Sequence, residues 1–375
     1  MRLAEVQLRR LRLPLVRPFR TSFGTETERD ILLVQVVTDD GVVGWGECVA
    51  GAAPLYSSEY VDGAQSVIRD FLIGRLAAPP QLSAAGVAPA LEVVKGHPMA
   101  KAALEMAVLD AELRERSLSL AEHFGAARSR IPVGVSVGIA DSIPALLDEI
   151  EQYLDQGYAR IKLKIEPGWD LEPVAAVRSR FGDVVLQVDA NTAYTLGDAS
   201  HLARLDAFDL LLIEQPLGED DIQGHAALAS RLRTPVCLDE SIVSARAAAA
   251  AIAVGACSIV NIKPGRVGGY LEARRIHDLC AAHGVPVWCG GMLETGLGRA
   301  ANLALAALPN FTLPGDISGS DRYWHRDILT KPLLADRGHM DLPLGDGLGV
   351  EVDMAWLDEL TTGLETIDLQ SGRPH

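Results

Sequence analysis

Basic charge is in short supply in this chain: 34 lysines and arginines stand against 50 aspartates and glutamates, a formal net charge of −16. Binding a phosphate backbone takes a surplus of Lys and Arg, so this balance argues against a nucleic acid partner and against an anionic membrane surface. Cysteine is scarce as well. Cys48, Cys237, Cys257, Cys280 and Cys289 are odd in number and never spaced as CxxC, which speaks against a disulfide framework or a zinc knuckle. Buried apolar thiols in a reducing cytoplasm are the expectation. Long apolar runs are missing. The longest uncharged stretches, 247–262 and 300–315, have 16 residues each and contain Gly, Asn or Pro, so neither reads as a membrane span. Arginines interrupt the first 19 residues, leaving no signal core. The nine histidines form no metal-ligand spacing.

What is present is an ordinary globular composition, 48% hydrophobic and 22% charged over 375 residues, enough to bury a large core. Residues 3–16 and 31–38 read as strands, and Val42–Glu47 as a third after an Asp39-Asp40-Gly41 turn. Pro18–Gly24 reads as a loop between the first two. Helical spacing covers 59–75 and 98–117. The first 125 residues therefore form an α+β unit.

From about 131 the pattern changes to short β-rich runs alternating with helices. The strand candidates are Val133–Ile139, Arg160–Ile165, Val184–Val188, Leu210–Ile213, Val236–Leu238, Ser258–Ile262, Val285–Trp288 and Phe311–Leu313. Helical stretches such as 170–180, 222–233 and 267–283 separate them. This alternation implies a parallel sheet, and eight such units imply a barrel. Lys164, Asp189, Glu214, Asp239, Lys263 and Trp288 are 25, 25, 25, 24 and 25 residues apart. Each falls at or just past a strand end, so the period is one strand–helix unit. In a parallel barrel those ends form the active-site face. Strand alternation puts Lys162 on the same face as Lys164. Two inward lysines need counter-charge, and the three carboxylates supply it.

The chemistry follows from residue type. Asp189, Glu214 and Asp239 make an all-oxygen ligand set, which favours Mg²⁺ or Mn²⁺ over zinc. Asp189 and the Asp239-Glu240-Ser241 run could instead cap helices. Lys164 and Lys263 end the second and sixth strands, which face each other in a ring of eight. A carboxylate held between them would offer its α-carbon to a base on either side, with a metal stabilising the enediolate. A lysine needs a lowered pKa to act as a base; Lys162 beside Lys164 and Arg266 near Lys263 are candidate causes.

Arg160-Ile-Lys-Leu-Lys164, Val188-Asp-Ala-Asn191, Ile213-Glu-Gln-Pro216, Leu238-Asp-Glu-Ser241 and Asn261-Ile-Lys-Pro264 resemble the enolase superfamily, in its muconate lactonizing enzyme-like branch. Pro18–Gly24, Pro54–Tyr60, Gly290–Gly296, Leu313–Asp316 and Ser320–Trp324 extend the resemblance toward the N-acylamino acid racemase/o-succinylbenzoate synthase group. The resemblance implies an α/β fold: an enolase-like (β/α)7β barrel over 126–324, an α+β capping domain over 1–125, and a C-terminal segment, 325–375, returning to it. It implies one divalent ion (Mg²⁺, or Mn²⁺/Co²⁺) on Asp189, Glu214 and Asp239, and Lys164 and Lys263 as catalytic bases. Lys162 would hold the substrate carboxylate and Asn191 support the metal ligands. Loops near 17–25 and 50–60, with Phe19 and Tyr56, would close over a small carboxylate substrate. It favours a ring-like homo-oligomer such as an octamer, and a place in menaquinone biosynthesis. The region after the seventh strand, Trp288-Cys-Gly-Gly291, lacks the catalytic His of the mandelate racemase-like branch.

Met292 and Phe23 could line an apolar pocket or belong to the core. Glu294 could be catalytic or structural. Within this chemistry the rivals are a dipeptide epimerase and a cycloisomerase. Outside it stand a Schiff-base lysine aldolase and a non-catalytic binding protein on the same scaffold.

Overall fold

The computed structural model of the chain describes residues 1–370. Alternating apolar residues make the first three strands: β1 (Leu3–Thr21), β2 (Gly24–Thr38) and β3 (Val43–Cys48). β1 and β2 form one long hairpin. The 18–24 segment is thus strand and tight turn rather than an open loop. Pro14 and Pro18 have no N–H to give the ladder, and the register shifts between Pro14 and Phe19. Pairing then resumes as Phe19↔Glu26, Arg20↔Thr25 and Thr21↔Gly24.

Helices α1 (Val61–Val67), α2 (Ile73–Ala77), α3 (Ala84–Leu91), α4 (Pro98–Glu115) and α5 (Leu120–Phe124) follow, with a π-helical turn, Ile68–Leu72, joining the first two. α4 lies directly on β3: a Cβ at Gly44 or Gly46 would overlap the carbonyl oxygens of Ala107 and Ala103. Small residues there allow the close contact.

β4 (Arg130–Pro132) leads into β5 (Val135–Val137), and the strand–helix alternation then runs as the sequence indicates. Its units are α6 (Ile143–Asp155), β6 (Arg160–Lys164), α7 (Leu171–Phe181), β7 (Val185–Asp189), α8 (Ala199–Leu202), β8 (Ile213–Glu214), α9 (Ile222–Ala229), β9 (Val236–Leu238), α10 (Ala245–Ala253) and β10 (Ile259–Ile262). The short α11 (Pro264–Val267), α12 (Tyr270–Ala282), β11 (Val287–Cys289) and α13 (Gly296–Ala306) complete it. The parallel sheet has seven strands in the order β11-β10-β9-β8-β7-β6-β5.

The eighth expected strand, Phe311–Leu313, is not a strand. Phe311 bridges Val287 of β11, and Gly315 bridges Val133 beside β5. Pro309 and Pro314 lack the N–H groups a ladder needs, so the segment closes the ring through single bridges.

β12 (His339–Asp341) pairs with β4, and α14 (Met354–Leu360) leads to β13 (Thr361–Asp368). β13 runs antiparallel to β1, with Val6 opposite Ile367 and Arg9 opposite Leu364, so the last described strand joins the first sheet. No helix among the described residues is long and apolar enough to cross a membrane. All five cysteines are free and buried, as expected.

Candidate functional site

The parallel register sets the charged strand ends side by side: Lys164 pairs with Asp189, and Asp189 with Glu214. Asp239 and Lys263 follow one residue past β9 and β10. Asp189, Glu214 and Asp239 are fully buried, and Lys162, Lys164 and Lys263 nearly so. The helix-capping alternative for Asp239 does not hold, since Ser244 caps α10.

The backbone beyond these ends is tightly constrained. Asn191 (φ 40°), Thr192 (φ 66°) and Gln215 (φ 37°) take the left-handed conformation, unfavourable for side chains other than Gly and Asn. Gln215 is held there by its own amide. Its Oε1 accepts from the backbone N–H of Asp239 at 2.9 Å and of Ser241 at 3.2 Å, and its Nε2 donates to Ser241 Oγ at 2.8 Å. This splint ties the end of β8 to the turn after β9.

Every ammonium in the site is shared. Lys162 Nζ donates to Asp189 Oδ2 and Glu214 Oε2, both at 3.0 Å, and sits 2.6 Å from Asp316. Lys164 Nζ donates to the same Asp189 Oδ2 and to Asn191 Oδ1, each at 2.6 Å. Lys263 Nζ donates to Asp239 Oδ2 at 2.8 Å and to the Tyr56 hydroxyl at 3.1 Å. Arg266 lies against the other Asp239 oxygen, and Arg160 against Asp316 at 2.7 Å. Five cations (Arg160, Lys162, Lys164, Lys263, Arg266) thus meet five carboxylates (Asp189, Glu214, Asp239, Glu240, Asp316) in one buried cluster. Near-balance of formal charge makes such burial tolerable.

Proton affinities diverge within it. Burial lowers the Lys164 pKa, with Lys162 adding to the effect against the pull of Asp189. Burial acts the same way on Lys162, but Asp316, Glu214 and Asp189 outweigh it and raise the value. Lys263 is also raised: burial is outweighed by Tyr56, Glu240, Glu214 and Asp189. The expected lowering therefore holds for Lys164 and not for Lys263, where neighbouring oxygens outweigh burial. Burial, then Asp189, pushes Glu240 up to about 7.

Asp189, Glu214 and Asp239 supply oxygen donors only, at the ends of three successive strands. A fourth carboxyl oxygen, Glu240 Oε2, is buried without a hydrogen-bond partner. That donor chemistry fits a hard divalent cation. Among the described residues, no three His, Cys, Asp or Glu side chains stand in a ligating arrangement; the carboxylates turn to the lysines.

Above the cluster lies a cavity of about 310 Å³. Phe19, Tyr56, Asn191, Met292 and the lysines 162, 164 and 263 all line it, as does Phe23. Asp316 lines it too, whereas Asp189, Glu214, Asp239 and Glu240 do not reach it. The roof comes from the first sheet: Phe19 meets Tyr323 edge-on at 6.2 Å, and Phe23 meets Tyr56 at 5.8 Å. Ser22 Oγ donates to the Asn191 carbonyl, tying the hairpin tip to the barrel. Glu294 is structural, accepting from Met292 N and Asn302 Nδ2 at 2.9 Å each.

The sequence carries no sign of a role for Asp316 or Gln215, and for Glu240 offers only helix capping. Asp316 stands 28 residues past Trp288, out of step with the 25-residue period, though it is the first charge after the uncharged run 300–315.

A parallel barrel with a buried lysine–carboxylate centre at its strand ends, roofed by a hairpin from a separate sheet, defines a barrel enzyme of the acid–base type. The chain belongs to the mandelate racemase/muconate lactonizing enzyme family of the enolase superfamily. Residues 4–125 match that family's N-terminal domain and residues 145–356 match the enolase C-terminal domain-like model. The chain is 66% identical to an N-succinylamino acid racemase from Amycolatopsis sp, over 96% of this chain and 98% of that one. It is 46% identical to the o-succinylbenzoate synthase of Bacillus subtilis (strain 168), over 96% and 97%. A solved enolase-superfamily structure from Listeria innocua Clip11262 superposes with a TM-score of 0.95 at 40% identity, covering 98% of this chain and all of that one.

Proposed function

We propose that this protein racemises N-acyl amino acids, N-succinyl derivatives foremost, and also forms o-succinylbenzoate by dehydrating its cyclohexadiene precursor. The observation that carries this reading is the pair Lys164 and Lys263. They end β6 and just follow β10, with the three strands β7, β8 and β9 that carry the carboxylates between them, and line one cavity. Both reactions begin with loss of the proton α to a carboxylate, so one site serves both. The relatives' names support the pairing of activities.

Asp189, Glu214 and Asp239 are the residues that would hold a divalent ion, Mg²⁺ by donor hardness. When bound, that ion supplies positive charge beside the substrate carboxylate, which makes the α-proton more acidic. Lys162 adds a fixed ammonium on the same side. Lys164 takes or returns the α-proton on one face and Lys263 on the other, while Asn191 holds the Lys164 amine in place; with a divalent ion held, the charge of Asp189 and Glu214 that raises the Lys263 pKa would be offset. Phe19, Tyr56 and Met292 surround the acyl group and side chain and exclude water. Residues 1–125, joined by 325–370, form the cap, and 126–324 the barrel; residues 371–375 of the expected C-terminal segment lie outside the described residues. In dehydration Lys164 acts as base and acid, with Lys263 as electrostatic support.

Chelation followed by dialysis, then assay of N-succinyl amino acid racemisation by polarimetry and of o-succinylbenzoate by absorbance, tests this reading. Both activities should vanish together and return with Mg²⁺, Mn²⁺ or Co²⁺. Full activity in protein shown metal-free by elemental analysis would contradict it, as would borohydride trapping of a lysine imine.

A further inference from the structure

Each of the two lysines has two partners for its three N–H groups, and the partners differ in origin. Lys164 donates to Asp189 and Asn191, both at the end of β7. Lys263 donates to Asp239, just past β9, and to Tyr56, 207 residues away in the chain. The Lys263 ammonium also lies 4.8 Å from the centre of the Tyr56 ring, within cation–π range. Two fixed bonds on a tetrahedral ammonium set where its third N–H can point. Lys164 is therefore oriented by the barrel alone, and Lys263 by the barrel together with the segment 49–60.

That segment is anchored at both ends, and Gly51 and Tyr60 bridge across its base. At its start Arg29 Nη2 donates to the carbonyls of Val49 and Ala50. At its end Glu59 accepts from Met99 N and Ala100 N at the start of α4. Ala52, Ala53, Pro54 and Leu55 are exposed, whereas Tyr56 turns inward against Phe23 of the hairpin tip.

We propose that Tyr56 is a positioning residue for Lys263, so that the seating of the 49–60 segment governs proton transfer on one face of the substrate and leaves the Lys164 face untouched. The proposal rests on the two-base reading above. It makes the two faces separable: loss of the Tyr56 hydroxyl frees the Lys263 amine to leave its reacting position and changes nothing that Lys164 touches.

The test is α-proton exchange in deuterated water, followed by NMR for each enantiomer of an N-succinyl amino acid, in the metal-loaded wild type, Tyr56→Phe and Tyr56→Ala. Lys263→Ala identifies the enantiomer that Lys263 serves. Tyr56→Phe should slow exchange of that enantiomer about tenfold relative to the other, the size expected for one hydrogen bond to a charged group, on top of any loss of substrate contact that both share. Tyr56→Ala should widen the gap, since the ring contact goes too. Equal losses for both enantiomers would make Tyr56 a substrate contact alone and overturn the proposal, as would no loss for either. Failure of the two-base reading looks different: the wild type would exchange neither enantiomer, or Lys263→Ala would spare both, and the Tyr56 proposal would fall with it.

Discussion

The Asp316 carboxylate holds the Lys162 ammonium at 2.6 Å. Asp316 belongs to the segment that closes the ring in place of an eighth strand, and it also lies 2.7 Å from Arg160. One carboxylate thus pins two buried cations to the seam of the barrel.

Removing that carboxylate leaves Arg160 and Lys162 buried with too little counter-charge. Asp316→Asn should cost about 3–5 kcal/mol, the usual price of breaking a buried ion pair, read as a lower denaturant midpoint. The pH dependence has a definite sign. Burial pushes the Asp316 carboxyl up, but Lys162 and then Arg160 prevail and bring it down to about 2. A depressed folded-state value means the contribution is complete above the unfolded carboxylate pKa of about 4 and fades as pH falls through about 2. The gap between wild type and variant should therefore narrow by about 2–3 kcal/mol across that acid range. A constant gap would show that Asp316 acts by packing rather than charge.

A second buried acid joins the first unit to the barrel. Glu105 of α4 accepts from Tyr270 N and Leu271 N, at the start of α12. Burial pushes this carboxyl up to about 7, with those two N–H bonds opposing. The folded state therefore binds a proton that the unfolded chain has already lost above about 4.3, so stability falls as pH rises from about 4.3 to 7. Across that window the loss is on the order of 3 kcal/mol. Glu105→Gln places an amide against two N–H groups and should lower the melting temperature, while flattening its slope with pH over this interval. A slope equal to that of the wild type would remove Glu105 as its source.

Phe19 reaches the cavity from the hairpin and rests on Tyr323. Truncating it should reshape the acyl pocket without reaching Asp189, Glu214 or Asp239. In Phe19→Ala, kcat/KM across a panel of N-acyl groups should change by about tenfold or more relative to one another, with metal affinity by calorimetry unchanged. Weakened metal binding with an unaltered acyl ranking would mean that Phe19 is structural.

The barrel and its charged rim were legible because the chain repeats one unit: a 25-residue step puts Lys164, Asp189, Glu214, Asp239 and Lys263 at equivalent strand ends. What stayed hidden depends on contacts between distant parts of the chain. Pro18 looks like a loop residue locally, and only the partner strand shows that the hairpin resumes beyond it. Phe311–Leu313 has strand-like residues, yet Pro314 denies it a ladder. Asp316 falls out of phase because it lies on that irregular closure. Neither Tyr56 on Lys263 nor Glu105 on α12 leaves any periodic trace, since each pairs residues more than 160 positions apart.

The central claim is that two lysines divide the α-carbon between them, and enantiomer-resolved α-proton exchange in deuterated water tests it most directly. Lys164→Ala should abolish exchange of one enantiomer of an N-succinyl amino acid, and Lys263→Ala exchange of the other. Both variants should lose racemisation, because inversion needs one base and the opposing conjugate acid. If either variant still exchanged both enantiomers at the wild-type rate, the two-base account would be wrong.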